Sequence, residues 1–518
     1  IIRLLALLHD IGHMPFGHTI EDEFNIFQSH DKHESRWEYF LGANSEIGKK
    51  IILHAGTDED GLFDERKGNE FHKRFFNLIK CEKDFTGMEE DAYMYDIVSN
   101  TVCADLLDYL QRDCEYTNLK LDYHPRFLDY LVIKRIDGAE EHNPPQRRIV
   151  IRLCKISNEP RKDIYSELVQ LLRNRYYLGE RVYYHHTKIK TGTLIAGAVL
   201  RAKQANFFKF LDGHSDVRTY QNQDGPLYDL HTWNDMNLIT RLSDIKAKDS
   251  TQSGRYLIAA RNLANAYLNR EVYTQLDFYT QRTLGLNPTT MQEVIDKKID
   301  LNAERILEVK LINEFGNPIT RLSWEDYLVD LLPDLRSGDF LIYFPSYKMQ
   351  MKLADVKIEE DDGVVRRLRK SKEGIIESEC DEIIEKHKSL WMMRVFVHPK
   401  FTKESHPEYK KDIYPMYARI MKKYCKWIFA RNEAEAKDAG EDFWKELISF
   451  KIDNELDGKS EETMRIYNPI PNAQTGKKHK QALIGIITET CQNTTSKRRT
   501  NDEVIDMIKS SFLENDKL

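Results

Sequence analysis

Apolar residues recur at helical spacing through roughly the first 210 residues of the chain. In residues 95–110 and 164–177 an apolar side chain returns every three or four positions, as it does on one face of an amphipathic helix. Residues 255–268 continue this pattern, whereas residues 147–153 form a strand-like run. The pattern therefore predicts a mainly α-helical N-terminal part.

The pattern changes near residue 300. Segments rich in β-branched and aromatic residues occupy 306–312, 339–344 and 391–399, and glycine, asparagine and proline separate them. Such short runs between turn-forming residues are typical of strands. Residues 414–430 return to the spacing of a long amphipathic helix.

These changes predict a mainly α protein with three parts. We expect a helical domain over residues 1–300, a smaller α+β lobe over 301–430 and a polar, partly basic extension over 431–518. The extension carries the basic clusters GKKHK (476–480) and SKRR (496–499). Such clusters can contact a nucleic acid or an effector phosphate, but they more often belong to a solvated surface.

Composition narrows the class of protein. Apolar residues make up 41 % and charged residues 31 % of the chain, a balance typical of globular proteins, and no apolar run is long enough to predict a membrane span. The net charge of −7 disfavours a dedicated duplex-DNA binder, which is usually basic. The seven cysteines form no CxxC pair, so we expect a reducing cytoplasm rather than a disulfide framework or a thiolate zinc site.

Because the chain opens inside a predicted helix without an initiator methionine, we expect a segment upstream of it.

Histidines are concentrated at the start of the chain. Five of the 17 lie within the first 33 residues: His9, His13, His18, His30 and His33. An apolar helix precedes the adjacent His9 and Asp10, which would form a rigid half-site for a divalent ion such as Fe, Mn, Zn or Mg. His13, His18 and His33 are better explained together as groups that handle charge and protons around a phosphate. His30 has no partner at a useful spacing, and we expect it on the surface.

A second segment, residues 95–116, combines an apolar stripe with a polar face. Asp105, Tyr109, Arg112 and Asp113 recur there at helical spacing. An aspartate within an apolar helix is costly unless it is paired or binds a metal. Asp105 is therefore a candidate metal ligand, and the alternative is a surface ion pair between Asp105 and Arg112.

The two segments together resemble a known family. HDIGHMPFGH (9–18) and NTVCADLLDYLQRDC (100–114) match, in order and spacing, the HD-superfamily nucleotide triphosphohydrolases, which include bacterial dGTP triphosphohydrolases and the vertebrate SAM- and HD-domain dNTP triphosphohydrolase. A weaker resemblance extends over residues 29–35 and 173–188 and into the C-terminal lobe. The resemblance as a whole implies a helical HD-domain core and metal-dependent hydrolysis of deoxynucleoside triphosphates to deoxynucleoside and inorganic triphosphate.

The resemblance also implies roles for individual residues. The metal would be held by His9, Asp10 and Asp105, together with a histidine upstream of this sequence. The catalytic pocket would be lined by His13, His18, Glu21 and His33, with His18 as the general acid and Glu21 orienting nearby groups. The substrate would be contacted by Tyr109, Asp113, Arg175, Tyr183, His185 and Lys188.

The sequence departs from the vertebrate enzyme at two positions in these segments. Leu106 replaces a lysine that follows the metal aspartate, so one phosphate contact is lost or replaced, and Tyr184 replaces a glutamine. The resemblance further implies a homo-oligomer and a possible nucleotide effector. Two alternatives remain open: an HD-type nuclease or phosphodiesterase acting on single-stranded or cyclic nucleic acid, and a non-catalytic nucleotide sensor.

Overall fold

The computed structural model of the protein describes most of the chain. The described residues are 1–30, 34–81, 84–120, 124–136, 145–155, 157, 159–208, 233–284, 315–332, 334–345, 356–371, 374–402, 414–430 and 433–453. Two sequence predictions, the strand at 306–312 and the basic clusters beyond 475, lie outside these residues. None of the described helices is both long and apolar enough to cross a lipid bilayer.

Helices dominate the described residues, as the sequence predicts. The helices are α1 Ile2–Leu8, α2 Glu34–Leu41, α3 Glu46–Gly56, α4 Glu65–Ile79, α5 Ala92–Val98, α6 Ala104–Thr117, α7 Lys162–Leu178, α8 His186–Gln204, α9 Asp235–Ser243, α10 Gln252–Leu268, α11 Gln281–Leu284, α12 Pro318–Leu331, α13 Gly374–Lys388, α14 Tyr414–Ile428 and α15 Glu433–Asp453. The strands are β1 Leu131–Ile136, β2 Gln146–Arg152, β3 Thr274–Thr280, β4 Phe340–Tyr343, β5 Lys357–Glu359, β6 Val365–Arg367 and β7 Met392–Val397.

The chain divides into two compact units that interleave in sequence. The first comprises the described residues of Ile1–Gly192, Asn206–Leu238 and Ser346–Trp391, and the second those of Thr193–Ala205, Ile239–Pro345 and Met392–Leu518. This division differs from the contiguous ranges 1–300, 301–430 and 431–518 predicted from the sequence. The difference arises because described residues of 346–391, in the predicted C-terminal lobe, belong to the first unit, and described residues of 193–205 and 239–300, in the predicted helical domain, belong to the second.

The first unit combines helices with a four-stranded sheet of order β1-β2-β5-β6. The β1 and β2 strands are neighbours in the sequence and pair antiparallel. The β5 strand pairs parallel with β2, although it lies about 200 residues further along the chain. Buried side chains of α6, α7 and β2 form one apolar core, to which α13 contributes Cys380 and Ile383. This core supports α6 and α7, which carry the predicted substrate residues Tyr109, Asp113 and Arg175.

The second unit contains the strands predicted at 339–344 and 391–399, which form a sheet of order β3-β7-β4. The predicted helix over 414–430 is confirmed as α14, and its side chains Tyr417, Ile420 and Tyr424 are fully buried. The α15 helix packs on it through the rings of Trp427 and Phe443, whose centroids lie 5.4 Å apart. Residues 433–453 are therefore an ordered part of this unit, which corrects the prediction of a polar extension from residue 431.

The predicted helix over residues 95–116 is two helices in the structure. The α5 helix ends at Val98 and α6 begins at Ala104. Between them the Asn100 side chain accepts a hydrogen bond from the Thr101 backbone, and the Cys103 sulfur accepts one from the Leu106 backbone. Short polar side chains compete with helical hydrogen bonds in this way, and the break places Asp105 in the first turn of α6.

Candidate active site

The candidate metal ligands come from two helix ends. The α1 helix ends at Leu8, directly before His9 and Asp10, and Asp105 lies in the first turn of α6. The His9 ring is oriented by the Ala6 carbonyl, 3.0 Å from Nδ1. Its other nitrogen, Nε2, lies 3.4 Å from Asp10 Oδ2 and 3.6 Å from Asp105 Oδ1. The fold thus brings together the three predicted metal ligands that this sequence contains.

This group fits a divalent cation. Nε2 of His9 is buried and has no hydrogen-bond partner within the described structure, and its distances to the two carboxylates exceed those of good hydrogen bonds. One ligand atom from each of His9, Asp10 and Asp105 lies within 4.8 Å of the other two. An imidazole and two carboxylates are suitable ligands for several divalent metals.

Glu21 is the most connected side chain of the site. It has no solvent exposure, and its Oε2 atom accepts from the His30 backbone at 2.9 Å and lies 2.9 Å from His13 Nδ1. Its Oε1 atom accepts from the Met14 backbone at 2.8 Å and from Arg36 Nη1 at 2.9 Å. Because Glu21 is completely enclosed, it orients neighbouring groups and does not face a substrate directly.

His30 belongs to this cluster, which corrects the expectation that it lies on the surface. Its side chain is only 12 % exposed, and its Nε2 atom lies 3.8 Å from Asp10 Oδ1. The His30 and His13 ring centroids are 3.7 Å apart. Asp10, His13 and His30 form a second group whose potential ligand atoms lie within 4.8 Å of one another. His33, the residue predicted for the pocket, lies outside the described residues.

His18 lies beside the cluster and has a carboxylate partner of its own. Its Nδ1 atom is 2.7 Å from Asp22 Oδ2, and its side chain is 71 % exposed. Its ring centroid is 4.5 Å from that of His13. The groups that Glu21 contacts are His13 and the His30 backbone, whereas Asp22 contacts His18.

Local backbone geometry explains why Glu21 contacts His13 whereas Asp22 contacts His18. Phe16 and Gly17 both have positive φ values, 63° and 41°, and a single π-helical turn follows over Thr19–Glu23. Such π-helical turns are frequent at functional sites because they redirect neighbouring side chains. Here the turn directs Glu21 into the protein and leaves Asp22 within reach of His18.

The charges of the cluster stabilise one another. Burial opposes ionisation of Asp10, but His13 and His9 outweigh it and lower the Asp10 pKa to about 2. Burial likewise disfavours a charged His13, but Asp10 and Glu21 raise its pKa to about 9. Burial favours a neutral Glu21, yet His13 and His30 hold its pKa well below the usual range. A cation bound at Asp10 would lower the pKa of His13, because nearby positive charge disfavours the imidazolium.

The predicted substrate residues of α6 and α7 lie in the same unit. The Tyr183 hydroxyl donates to Asp113 Oδ2 at 2.6 Å, and the Tyr109 and Tyr183 rings lie 6.5 Å apart. Burial raises the pKa of Tyr109 and the nearby positive charge of Arg175 opposes the rise. Arg175 is half-buried, and its side chain makes no hydrogen bond or ion pair within the described part of the chain.

The remaining predicted contacts follow the end of α7. The predicted helix over 173–188 is interrupted, because α7 ends at Leu178 and α8 begins at His186. His185, between them, is exposed. Lys188 is half-buried and forms an ion pair with the buried Glu23, so its charge is already partly neutralised.

The two positions that depart from the vertebrate enzyme, Leu106 and Tyr184, both contact other side chains of the protein. Leu106 is 1 % exposed and belongs to the apolar core, so it provides no phosphate contact. The Tyr184 ring meets the His387 ring edge-on at 5.6 Å. The alternative assignment of Asp105 to an ion pair with Arg112 is wrong, since Arg112 bonds to Asp108 at 2.6 Å.

Besides His30, three other residues of the site were not predicted. Asp22 had a usable signal, because it follows His18 by four residues, a spacing that brings side chains together on a helical turn. Nothing in the sequence distinguishes Arg36 from a surface arginine. His387 reaches Tyr184 from α13, 203 residues later in the chain, and a tertiary contact of this range leaves no local pattern.

Comparisons with known proteins find one matching family model and several relatives of modest identity. The family model "HD domain" matches residues 1–113. The chain is 26 % identical to the deoxynucleoside triphosphate triphosphohydrolase SAMHD1 of Gallus gallus over 64 % of this chain and 50 % of that protein. It is 28 % identical to the Dictyostelium discoideum SAMHD1 homolog over 43 % of this chain and 37 % of that protein. It is also 22 % identical to the uncharacterized protein YwfO of Bacillus subtilis, over 66 % of this chain and 72 % of that protein.

The chain thus spans about half of the chicken relative and less of the Dictyostelium one. The matched family model contains the metal-ligand group and the histidine cluster, which lie within residues 9–105. The similarity to the triphosphohydrolases extends well beyond that model along the chain. Residues 1–113 therefore match the HD domain, and the chain is similar to deoxynucleoside triphosphate triphosphohydrolases that are named SAMHD1.

Proposed function

We propose that the protein hydrolyses deoxynucleoside triphosphates to deoxynucleoside and inorganic triphosphate in a metal-dependent reaction. The observation that carries the proposal is the convergence of His9, Asp10 and Asp105 beside the clustered imidazoles of His13 and His30. A metal-ligand group next to several proton-handling side chains is what phosphoester hydrolysis requires. Relatives named as deoxynucleoside triphosphate triphosphohydrolases support this substrate class.

The cation would be held by His9, Asp10 and Asp105. When bound, a divalent ion such as Fe, Mn, Zn or Mg polarises a phosphoryl oxygen and lowers the pKa of water. The carboxylate of Asp10 has one oxygen near His9 and the other near His13. Asp10 therefore connects the cation to the imidazole cluster.

His18 is our candidate for the general acid. It is the exposed member of the cluster, and Asp22 fixes its Nδ1 atom, so Nε2 is free to carry the transferred proton. A water adds to the α-phosphorus, the bond from that phosphorus to the 5′ oxygen breaks, and His18 protonates the departing oxygen. The proton lost by the attacking water balances the one that His18 donates.

Charge on the phosphates would be met by His13, His30 and Arg175. A guanidinium can bind two phosphate oxygens at once, and Arg175 is available because it has no acidic partner in the described part of the chain. Tyr183, fixed by Asp113, offers a ring face for the sugar or base. Because Lys188 pairs with Glu23, we expect it to contribute less than Arg175.

Product analysis tests the reaction. The protein is incubated with each dNTP, each NTP and a labelled single-stranded oligonucleotide, and the products are identified by mass. We expect deoxynucleoside and triphosphate, with an Asp10→Ala variant as the inactive control. Nucleoside monophosphate from dNTPs would overturn the site of cleavage, and cutting of the oligonucleotide alone would favour the nuclease. Binding of dNTPs without turnover in the metal-loaded protein would favour the sensor.

We further propose that the protein works as a homo-oligomer whose assembly responds to nucleotide. This proposal rests on family resemblance. Light scattering at micromolar concentration, with and without dNTPs, tests it: we expect at least a dimer in the presence of nucleotide. A monomer under both conditions contradicts it.

A further inference from the structure

Arg36 lies beneath the imidazole cluster. Its side chain is 1 % exposed, although arginine is among the residues that are almost never fully buried without partners. Nη1 donates to Glu21 Oε1 at 2.9 Å and to the Gly12 carbonyl at 3.2 Å, and Nη2 donates to the Gln28 carbonyl at 2.9 Å. One guanidinium thus joins the carboxylate of Glu21 to the loops that precede His13 and His30.

We propose that Arg36 is a positioning residue for the site, acting through Glu21 on His13 and His30. This role rests on the proposed function and extends it, because Arg36 lies outside the pocket and orients imidazoles within it. The chain of contacts is short and complete. Arg36 holds Oε1 of Glu21, and the other oxygen holds Nδ1 of His13 and the backbone N–H of His30.

The consequence of this arrangement is a fixed direction for the His13 ring and a fixed backbone position for His30. With Nδ1 of His13 held by Glu21, its Nε2 atom faces Asp10 Oδ1 at 3.5 Å. His30 presents its Nε2 atom to the same oxygen at 3.8 Å. Glu21 accepts hydrogen bonds on both oxygens, and Arg36 is the charged donor to Oε1, beside the Met14 backbone N–H. Partners that orient the groups around a metal commonly change activity by roughly 10- to 100-fold when removed.

A purely structural role is the competing explanation, because any buried ion pair resists loss of one partner. The same unit contains a suitable control. Arg148 binds Asp96 through two hydrogen bonds of 2.7 and 2.6 Å, and both side chains are buried. Neither residue contacts the histidine cluster within the described structure. Arg148→Met should therefore destabilise the fold much as Arg36→Met does, without changing turnover by the folded protein.

The test is a double-mutant cycle. Turnover of dNTP is measured for Arg36→Met, Glu21→Gln and the double variant, with folded protein quantified by circular dichroism. We expect kcat to fall roughly 10- to 100-fold in Arg36→Met, with KM changed less than threefold. Because Arg36 acts through Glu21, adding Arg36→Met to Glu21→Gln should lower kcat no further. Independent, multiplicative losses, or wild-type kcat in folded Arg36→Met, would overturn the proposal.

A conservative variant covers the case in which Arg36→Met does not fold. Arg36→Lys keeps the charge toward Glu21 but loses the forked geometry, so we expect a kcat between those of wild type and Glu21→Gln. Wild-type kcat in folded Arg36→Lys would contradict positioning. Arg148→Met measured in parallel shows how much of any loss comes from destabilisation alone.

A spectroscopic readout separates this inference from the proposed activity. In protein labelled with ¹⁵N-histidine, Nδ1–H of His13 should give a downfield proton signal protected from exchange, assigned by its loss in His13→Gln. We expect Arg36→Met to shift this signal or broaden it beyond detection, and Arg148→Met to leave it unchanged. An unchanged signal in Arg36→Met refutes positioning even if the protein hydrolyses no dNTP, whereas a changed signal with no dNTP turnover refutes only the proposed substrate.

Discussion

Replacing Arg175 with alanine should weaken the binding of triphosphates without weakening the fold. Arg175 is half-buried and has no acidic partner in the described structure, so its removal breaks no internal ion pair. A hydrogen bond to a charged group contributes about 1.5–3 kcal/mol. At about 1.4 kcal/mol for each factor of ten, we expect KM for a dNTP to rise roughly 10- to 150-fold in Arg175→Ala.

Steady-state rates of triphosphate release over a range of dNTP concentrations measure this effect, and thermal denaturation measures stability. Arg173 provides the matched control, since it lies on the same helix but pairs with Glu379 at 3.2 Å. Arg173→Ala should leave KM unchanged and cost at most about 1 kcal/mol, because this pair is only partly buried. Equal KM values for wild type and Arg175→Ala would refute the assignment of Arg175 to the phosphates. So would a KM increase of the same size in Arg173→Ala.

Three further predictions follow from the contacts of individual residues. Asp105→Ala should lose bound metal, measured by elemental analysis, while its circular dichroism spectrum stays that of the folded protein; retention of stoichiometric metal contradicts the ligand assignment. His18→Ala should lower kcat roughly 100-fold or more with metal still bound, and Asp22→Asn should lower it less; unchanged turnover in both would show that another group donates the proton. Arg201, fully buried, pairs with Glu325 at 2.8 Å, so Arg201→Met should reduce the free energy of unfolding by about 3–5 kcal/mol in urea denaturation, and an unchanged urea midpoint would contradict this.

Local pattern was sufficient for several of the helices and strands. The predicted strand at 147–153 and helix at 164–177 correspond to β2 and α7, because each has a continuous apolar face. Pairing at long range was not predictable in the same way. The β5 strand at 357–359 joins β2 of the first unit, and its three residues carry no mark of that partner. The predicted domain boundaries therefore differ from the observed units.

The candidate metal ligands stand out in the sequence more than the cluster beside them. His9 and Asp10 are adjacent at the end of an apolar helix, and Asp105 lies in the second motif that carries the family resemblance. The place of His30 was harder to predict, since only two residues separate it from His33 in one polar segment. The structure places His30 in the cluster because its backbone N–H bonds to Glu21, and this interaction depends on how the segment returns toward the π-helical turn.

The adjacent acids Glu21 and Asp22 show why residue type alone does not assign a role. Both follow His18 within four residues, and either carboxylate could orient it on chemical grounds. The helical turn decides between them: Glu21 is fully buried against Arg36 and His13, whereas Asp22 reaches His18 at 2.7 Å. A buried carboxylate is stable only when its hydrogen bonds and charge are satisfied, and Arg36 provides for both at Glu21. The buried arginine thus allows one acid to serve the interior of the site while its neighbour serves the exposed histidine.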